Sequence, residues 1–128
     1  MKETRIQDIY MFLKGQGFET YFPAQKSGEC LSPYVVVKDA TTSKLASFSS
    51  TVTYYDLMCY VPWENFTLLA IYVEQVKEAM KKMAPMIMPT YTETQSFYDD
   101  SVKGYMISIQ YLNYKQIIVK DWRNYCGF

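Results

Sequence analysis

Residues 50–61, STVTYYDLMCYV, alternate along their whole length. Val52, Tyr54, Asp56, Met58 and Tyr60 fall on one side of an extended chain, and Thr53, Tyr55, Leu57, Cys59 and Val61 on the other. Both sides are substantially apolar, so the segment predicts a long central strand rather than an edge strand with one wet face. Pro62 stops it, because proline has no N–H to give to a ladder. Just upstream, Tyr34-Val35-Val36-Val37-Lys38 is a continuous β-branched run that suits a buried strand and is the expected pairing partner. A polar loop over 39–47 joins the two.

Beyond Pro62 the period of the apolar residues changes. Asn65 can cap a helix on which Phe66, Leu69, Ala70, Val73, Val76, Met80 and Met83 form one stripe, while Glu74, Gln75, Glu78, Lys81 and Lys82 face away. Glu78 and Lys82 are four apart and make a favourable pair worth about 0.2–0.5 kcal/mol. Pro85 and Pro89 end the helix and bracket Met86-Ile87-Met88. At the N-terminus, Thr4-Arg5-Ile6-Gln7 has the form of a capping box. Ile6, Ile9, Tyr10 and Leu13 follow at helical spacing until Gly15 and Gly17, which predicts a first helix over 4–15.

A short extended run over 19–24, cut by Pro23, and a turn-rich patch over 25–33 lead into the first long strand. Toward the C-terminus, 90–98 and 104–114 alternate, and the polar turn between them predicts a hairpin. The order is α, short β, β, β, α, β, β. It predicts an α+β fold in a single domain over 1–114: a mixed or antiparallel sheet of about four to five strands with two helices packed on one face. Residues 115–128 form a C-terminal arm.

The 128 residues carry 13 Lys+Arg against 13 Asp+Glu, no His and three Cys. A domain of this size buries roughly two thirds of its unfolded surface and needs neither disulfide nor metal to fold. Balanced charge lacks the basic footprint of a nucleic-acid binder, so no sequence-specific nucleic-acid partner is expected. Without His, triads, Cys-His dyads and most zinc sites are excluded. Cys30, Cys59 and Cys126 are odd in number and widely spaced, which argues against a disulfide framework or a chelate and for a reducing compartment. Asp99-Asp100 lacks the spaced oxygens of a calcium loop and reads as a turn. Asp56 is the one charge within the long strand. It reads as facing solvent or pairing with a lysine such as Lys38, ahead of a catalytic base. Hence no catalytic residue, metal or cofactor is expected.

The start, MKETRIQDIYMFLK, puts Glu3, Arg5 and Asp8 where a secretory signal needs apolar residues. The uncharged stretch 65–73 is far below the roughly 20 residues of a membrane helix. The expectation is a soluble chain, made in the cytosol, with no membrane partner.

The aromatic residues carry more information. Thirteen Tyr, 7 Phe and 2 Trp exceed what one core hides easily, and Tyr and Trp are enriched where proteins meet. The closing KQIIVKDWRNYCGF places Trp122, Arg123, Tyr125 and Phe128 at a terminus, which is ordinarily polar. This arm either packs back on its own sheet or docks on a neighbouring subunit. Trp63, Trp122, Arg123, Tyr125 and Phe128 are the expected contact residues.

The N-terminal helix, the pair YVVVKD and STVTYYDLMCYVP, the helix just after VPWEN and the closing GYMISIQYLNY together resemble the small tail terminator and tail completion proteins of long-tailed bacteriophages. Residues 54–83 are the most family-like passage, and the likeness extends through residue 114. The resemblance implies a non-enzymatic virion subunit, assembled in the host cytoplasm and located in the tail or at the head-tail junction. It further implies a ring of roughly six copies that caps the tail tube, with itself, the tail tube protein and the head connector or completion protein as partners. A ring needs two different adhesive faces on one subunit, and the aromatic arm and an exposed sheet edge fit that need. By the same analogy the loop 39–47, with Lys38, Thr41, Thr42 and Lys44, projects toward the tube or lumen. The alternative is a small non-enzymatic module that sequesters a partner protein through its aromatic surface; an enzyme using Asp56 comes third.

Overall fold

A computed structural model describes residues 6–44 and 50–116. Its elements run α1 (Ile6–Gly15), β1 (Thr20–Tyr21), β2 (Tyr34–Lys44), β3 (Ser50–Pro62), α2 (Leu69–Met80), β4 (Met88–Glu93), β5 (Phe97–Asp99) and β6 (Gly104–Gln116). The strands form one sheet in the order β1-β2-β3-β6-β4, with β5 also paired to β6. β1 lies parallel to β2 and the other pairs are antiparallel, so the sheet is mixed. The chain is an α+β domain, as its alternating and helical periods predict.

The alternation of β3 explains its central place. Leu57 sits in register between Val37 of β2 and Ile109 of β6, and all three are buried. With Tyr55, Cys59 and Val61 they meet Ile9 and Leu13 of α1 and Val73, Val76 and Met80 of α2, so both helices cover one face. On the opposite face Tyr60 stacks on Tyr34 at 4.9 Å, and Cys30, Val36 and Met106 complete a second, smaller cluster. Both sides of β3 are thus in apolar contact, which is why both of its residue sets are apolar.

Three local expectations give way. The loop predicted over 39–47 is strand as far as Lys44, and residues 45–47 lie outside the described ones. Polar residues there pair with Tyr55, Tyr54, Thr53, Val52 and Thr51 across a bulge between Asp39 and Thr41. Ladder bonds to a strong neighbouring strand override weak intrinsic preference.

The second helix starts later than its apolar stripe suggests. Asn65 does not cap it: Asn65 lies at φ −112°, ψ 33° inside a 3-10 segment, Trp63–Leu68. The Leu69 N–H donates to the Phe66 carbonyl, so backbone in the tighter turn satisfies a donor that a side-chain cap would otherwise take. Phe66 and Ala70 therefore leave the buried stripe, while Leu69, Val73, Val76 and Met80 keep it. Glu78 pairs with Lys81 at 2.9 Å rather than with Lys82, which lies in a 3-10 turn beyond α2 and donates to Gln16.

The C-terminal hairpin is split. β5 pairs closely with the start of β6, but on β4 the register passes from Pro89↔Tyr111 to Glu93↔Ile109, so the chain bulges between them. β6 pairs as far as Gln116, beyond the predicted domain end at 114; the remainder of the arm lies outside the described residues.

Among the described residues one buried side-chain group is left without a partner. The Tyr72 hydroxyl is buried and unbonded, with its ring edge-on to Phe18. An unsatisfied buried hydroxyl costs about 1–3 kcal/mol. Tyr72→Phe is expected to raise stability by about 1 kcal/mol, read as a higher urea midpoint at unchanged m; a lowered midpoint would contradict it.

Candidate interaction surface

Where β3 ends at Pro62 the chain turns along the end of the sheet, and the Trp63 N–H donates to the Lys103 carbonyl at 3.3 Å. This bond fastens the 3-10 segment to the start of β6. Phe66 then meets the Tyr105 ring edge-on with centroids 4.6 Å apart, and Tyr105 meets Tyr98 at 5.4 Å. Trp63 stays 53% exposed and Phe66 47% exposed, with Leu68, Ile71 and Tyr98 also open. Single exposed apolar residues are ordinary, but a run of touching rings has the aromatic enrichment of an interface centre. Glu64 and the Lys103–Glu29 pair, at 4.0 Å, lie beside it.

The residues singled out from sequence do not gather at one place. Trp63 is in the aromatic patch. Lys38 is exposed on β2, in register with Asp56, and Thr42 shares a hydroxyl hydrogen bond of 3.0 Å with Thr53. Thr41 and Lys44 stand opposite Tyr54 and Thr51. Since Lys44 pairs with Thr51 and Trp63 follows Pro62, these positions sit toward opposite ends of β3, about 35 Å apart at roughly 3.3 Å per residue. Trp122, Arg123, Tyr125 and Phe128 lie outside the described residues.

The Lys38 group does share a feature with the sheet edge. β1 covers β2 only at Val35 and Val36, and the Val35 N–H donates to the Glu19 carbonyl. Backbone direction alternates along a strand, so among the described residues the outer side of β2 beyond Val36 is left without a ladder partner.

Phe66, Leu68, Tyr98 and Tyr105 were not singled out. Phe66 fits a helical stripe only if the helix begins at 65, and the 3-10 segment breaks that phase. The PWENF passage, proline followed by aromatics within a turn, is the signal that could have found it.

Among the described residues, Cys30 and Cys59 are buried and Asp99 is engaged. Burial pushes the Cys30 thiol up to about 11 and the Cys59 thiol up to about 12, so both are protonated at neutral pH and poor nucleophiles. Asp99 accepts from the Ser101 N–H and hydroxyl and from Tyr60, which makes it a turn residue. Among the described residues no group of three or more Cys, Asp or Glu could hold a metal ion.

Apart from the aromatic patch, a concavity lies between α2 and β4. It is about 380 Å³, with Ile109 and Tyr111 from β6, a wall of Glu74, Lys77, Glu78 and Lys81, and Glu93 and Tyr91 from β4. Partial burial pulls Lys77 down, but hydrogen bonds from its ammonium to Glu93 and Glu74 outweigh that and hold it above the ordinary lysine value.

No protein-family model and no curated protein sequence matches the chain. No described helix is long and apolar enough to cross a membrane.

Proposed function

We propose that the chain is a non-enzymatic virion subunit that caps a phage tail tube and joins tail to head as a ring of copies. The observation that carries this reading is the touching set Phe66–Tyr105–Tyr98, with Phe66, Tyr98 and the neighbouring Trp63 exposed at one end of the sheet. A closed ring uses head-to-tail contacts, so each subunit needs two unlike faces. The aromatic patch supplies one. The outer side of β2, with Lys38, Thr41, Thr42 and Lys44, supplies the other by strand addition or by polar contact. Tail tube protein and head connector protein are the further partners, and the arm with Trp122, Arg123, Tyr125 and Phe128 adds to the subunit contact.

The test is a copy count on purified particles combined with a double variant, Trp63→Ser with Phe66→Ser. The native chain is expected in particles at roughly six copies per tail. The variant is expected to unfold cooperatively yet to be missing from particles, leaving tails unjoined. Absence of the native chain from both virions and free tails would overturn the reading. In that case the second reading applies, a module that captures one partner protein: the patch lies at a single end, which suffices for a one-to-one complex.

A further inference from the structure

The cleft between α2 and β4 is chemically unlike the aromatic patch. It holds three carboxylates, Glu74, Glu78 and Glu93, against two ammonium groups, and the ammonium groups are already engaged. Lys77 Nζ lies 3.3 Å from Glu74 and 3.3 and 3.0 Å from the two oxygens of Glu93, which accounts for its three N–H donors. Lys81 is held by Glu78 at 2.9 Å. Each carboxylate offers about four acceptor positions, so the cleft has acceptors to spare and few free donors. Its base is not ionic: Ile109 is buried, and Tyr111 is 4% exposed.

The rim is shaped by strain. Tyr91 stands in the β4 bulge at φ 63°, a left-handed conformation that a bulky residue adopts at a cost of about 1–3 kcal/mol. The Thr90 hydroxyl secures the bulge by donating to Gln110 Oε1 at 2.9 Å and accepting from the Thr92 N–H at 3.2 Å. The result is a tyrosine 90% exposed at the mouth of a cleft that has another tyrosine at its base.

We propose that this cleft receives an arginine side chain from a partner polypeptide. The guanidinium is planar, weakly hydrated and carries five donors, so it satisfies spare carboxylate oxygens while lying against aromatic surface. A lysine would bring a compact, strongly hydrated charge to carboxylates that already serve Lys77 and Lys81. An anion would have to displace Glu74 or Glu93 from Lys77. The volume is at the low end for ligand pockets, which suits one side chain.

The test is a titration of the isotope-labelled full chain, followed by backbone amide NMR, with N-acetyl-arginine amide, N-acetyl-lysine amide and N-acetyl-glutamate as probes. The arginine probe is expected to shift amides at 74–81, 91–93 and 109–111, and the lysine probe to bind at least about five-fold more weakly. Glu93→Gln, at a half-open site, is expected to weaken arginine binding about five-fold without unfolding the chain. Tyr91→Ala serves as a second variant and is also expected to weaken it. Equal response to lysine and arginine, a stronger response to the acidic probe, or no shift in this region would overturn the proposal.

Discussion

Gly104→Val is expected to destabilise the fold by about 3 kcal/mol or more. A Cβ built on Gly104 would lie 2.8 Å from the Val61 carbonyl oxygen, 3.1 Å from Cys30 Cβ and 3.4 Å from Cys30 Sγ. The closest atom is backbone of the central strand, and Pro62 is the register partner of Gly104, so neither wall can withdraw without breaking the β3–β6 ladder. Valine adds two further carbons to a space that does not admit one. Since whole-domain stability is about 5–15 kcal/mol, the loss should be plain in a urea melt. The effect should extend to the aromatic patch, because Lys103, the neighbour of Gly104, accepts the bond that fastens Trp63. Gly15→Ala is the control: nothing lies within 4 Å of its Cβ position, and a shift within about 0.5 kcal/mol is expected. An unchanged midpoint for Gly104→Val would show that the start of β6 is free to move.

Leu57→Ala is expected to cost about 3 kcal/mol, within the 2–5 kcal/mol range for emptying a core leucine site. Leu57 is fully buried at the middle of the row Val37–Leu57–Ile109, under the residues that α1 and α2 bring to the sheet. Its neighbours belong to two ladders and cannot collapse into the void, so the cavity persists. Met58, the next residue, points to the other face and is half-buried. Met58→Ala should therefore cost less than half as much. Denaturant midpoints for the pair read the two-residue period directly, and equal losses would contradict the assignment of faces.

The fold was legible where a pattern repeats often enough to outweigh local exceptions. Residues 50–61 show twelve positions of alternation, and the structure makes them the strand with a neighbour on each side. The Leu69, Val73, Val76 and Met80 spacing likewise places α2 on the sheet. Legibility failed at the ends of these elements. Asp39 and Thr41 through Lys44 have a loop's composition, yet they continue β2 because the partner strand offers them a ladder. Phe66 has the spacing of a core residue, yet it is exposed because a 3-10 turn precedes α2 and changes the phase.

The candidate surfaces divide in the same way. The surplus of aromatic residues announced that some rings would lie exposed, Trp63 among them, because composition counts what a core of this size cannot hide. It could not say which rings touch. Phe66, Tyr105 and Tyr98 come from three elements, and they meet only because β5 pairs with the start of β6 just where the chain leaves β3. The cleft was not visible at all, since its charged wall on α2 reads as an ordinary solvated face until the bulge of β4 stands opposite it.

Sequence alone determined the α+β class, the central strand, the burial stripe of α2 and the aromatic excess, all of which follow from periodicity and counting along one chain. Tertiary structure decided where β2 stops, where α2 starts, which aromatic rings form a patch and which carboxylates line a cleft. Those outcomes depend on hydrogen-bond partners and neighbours distant in the chain, and local spacing does not encode them.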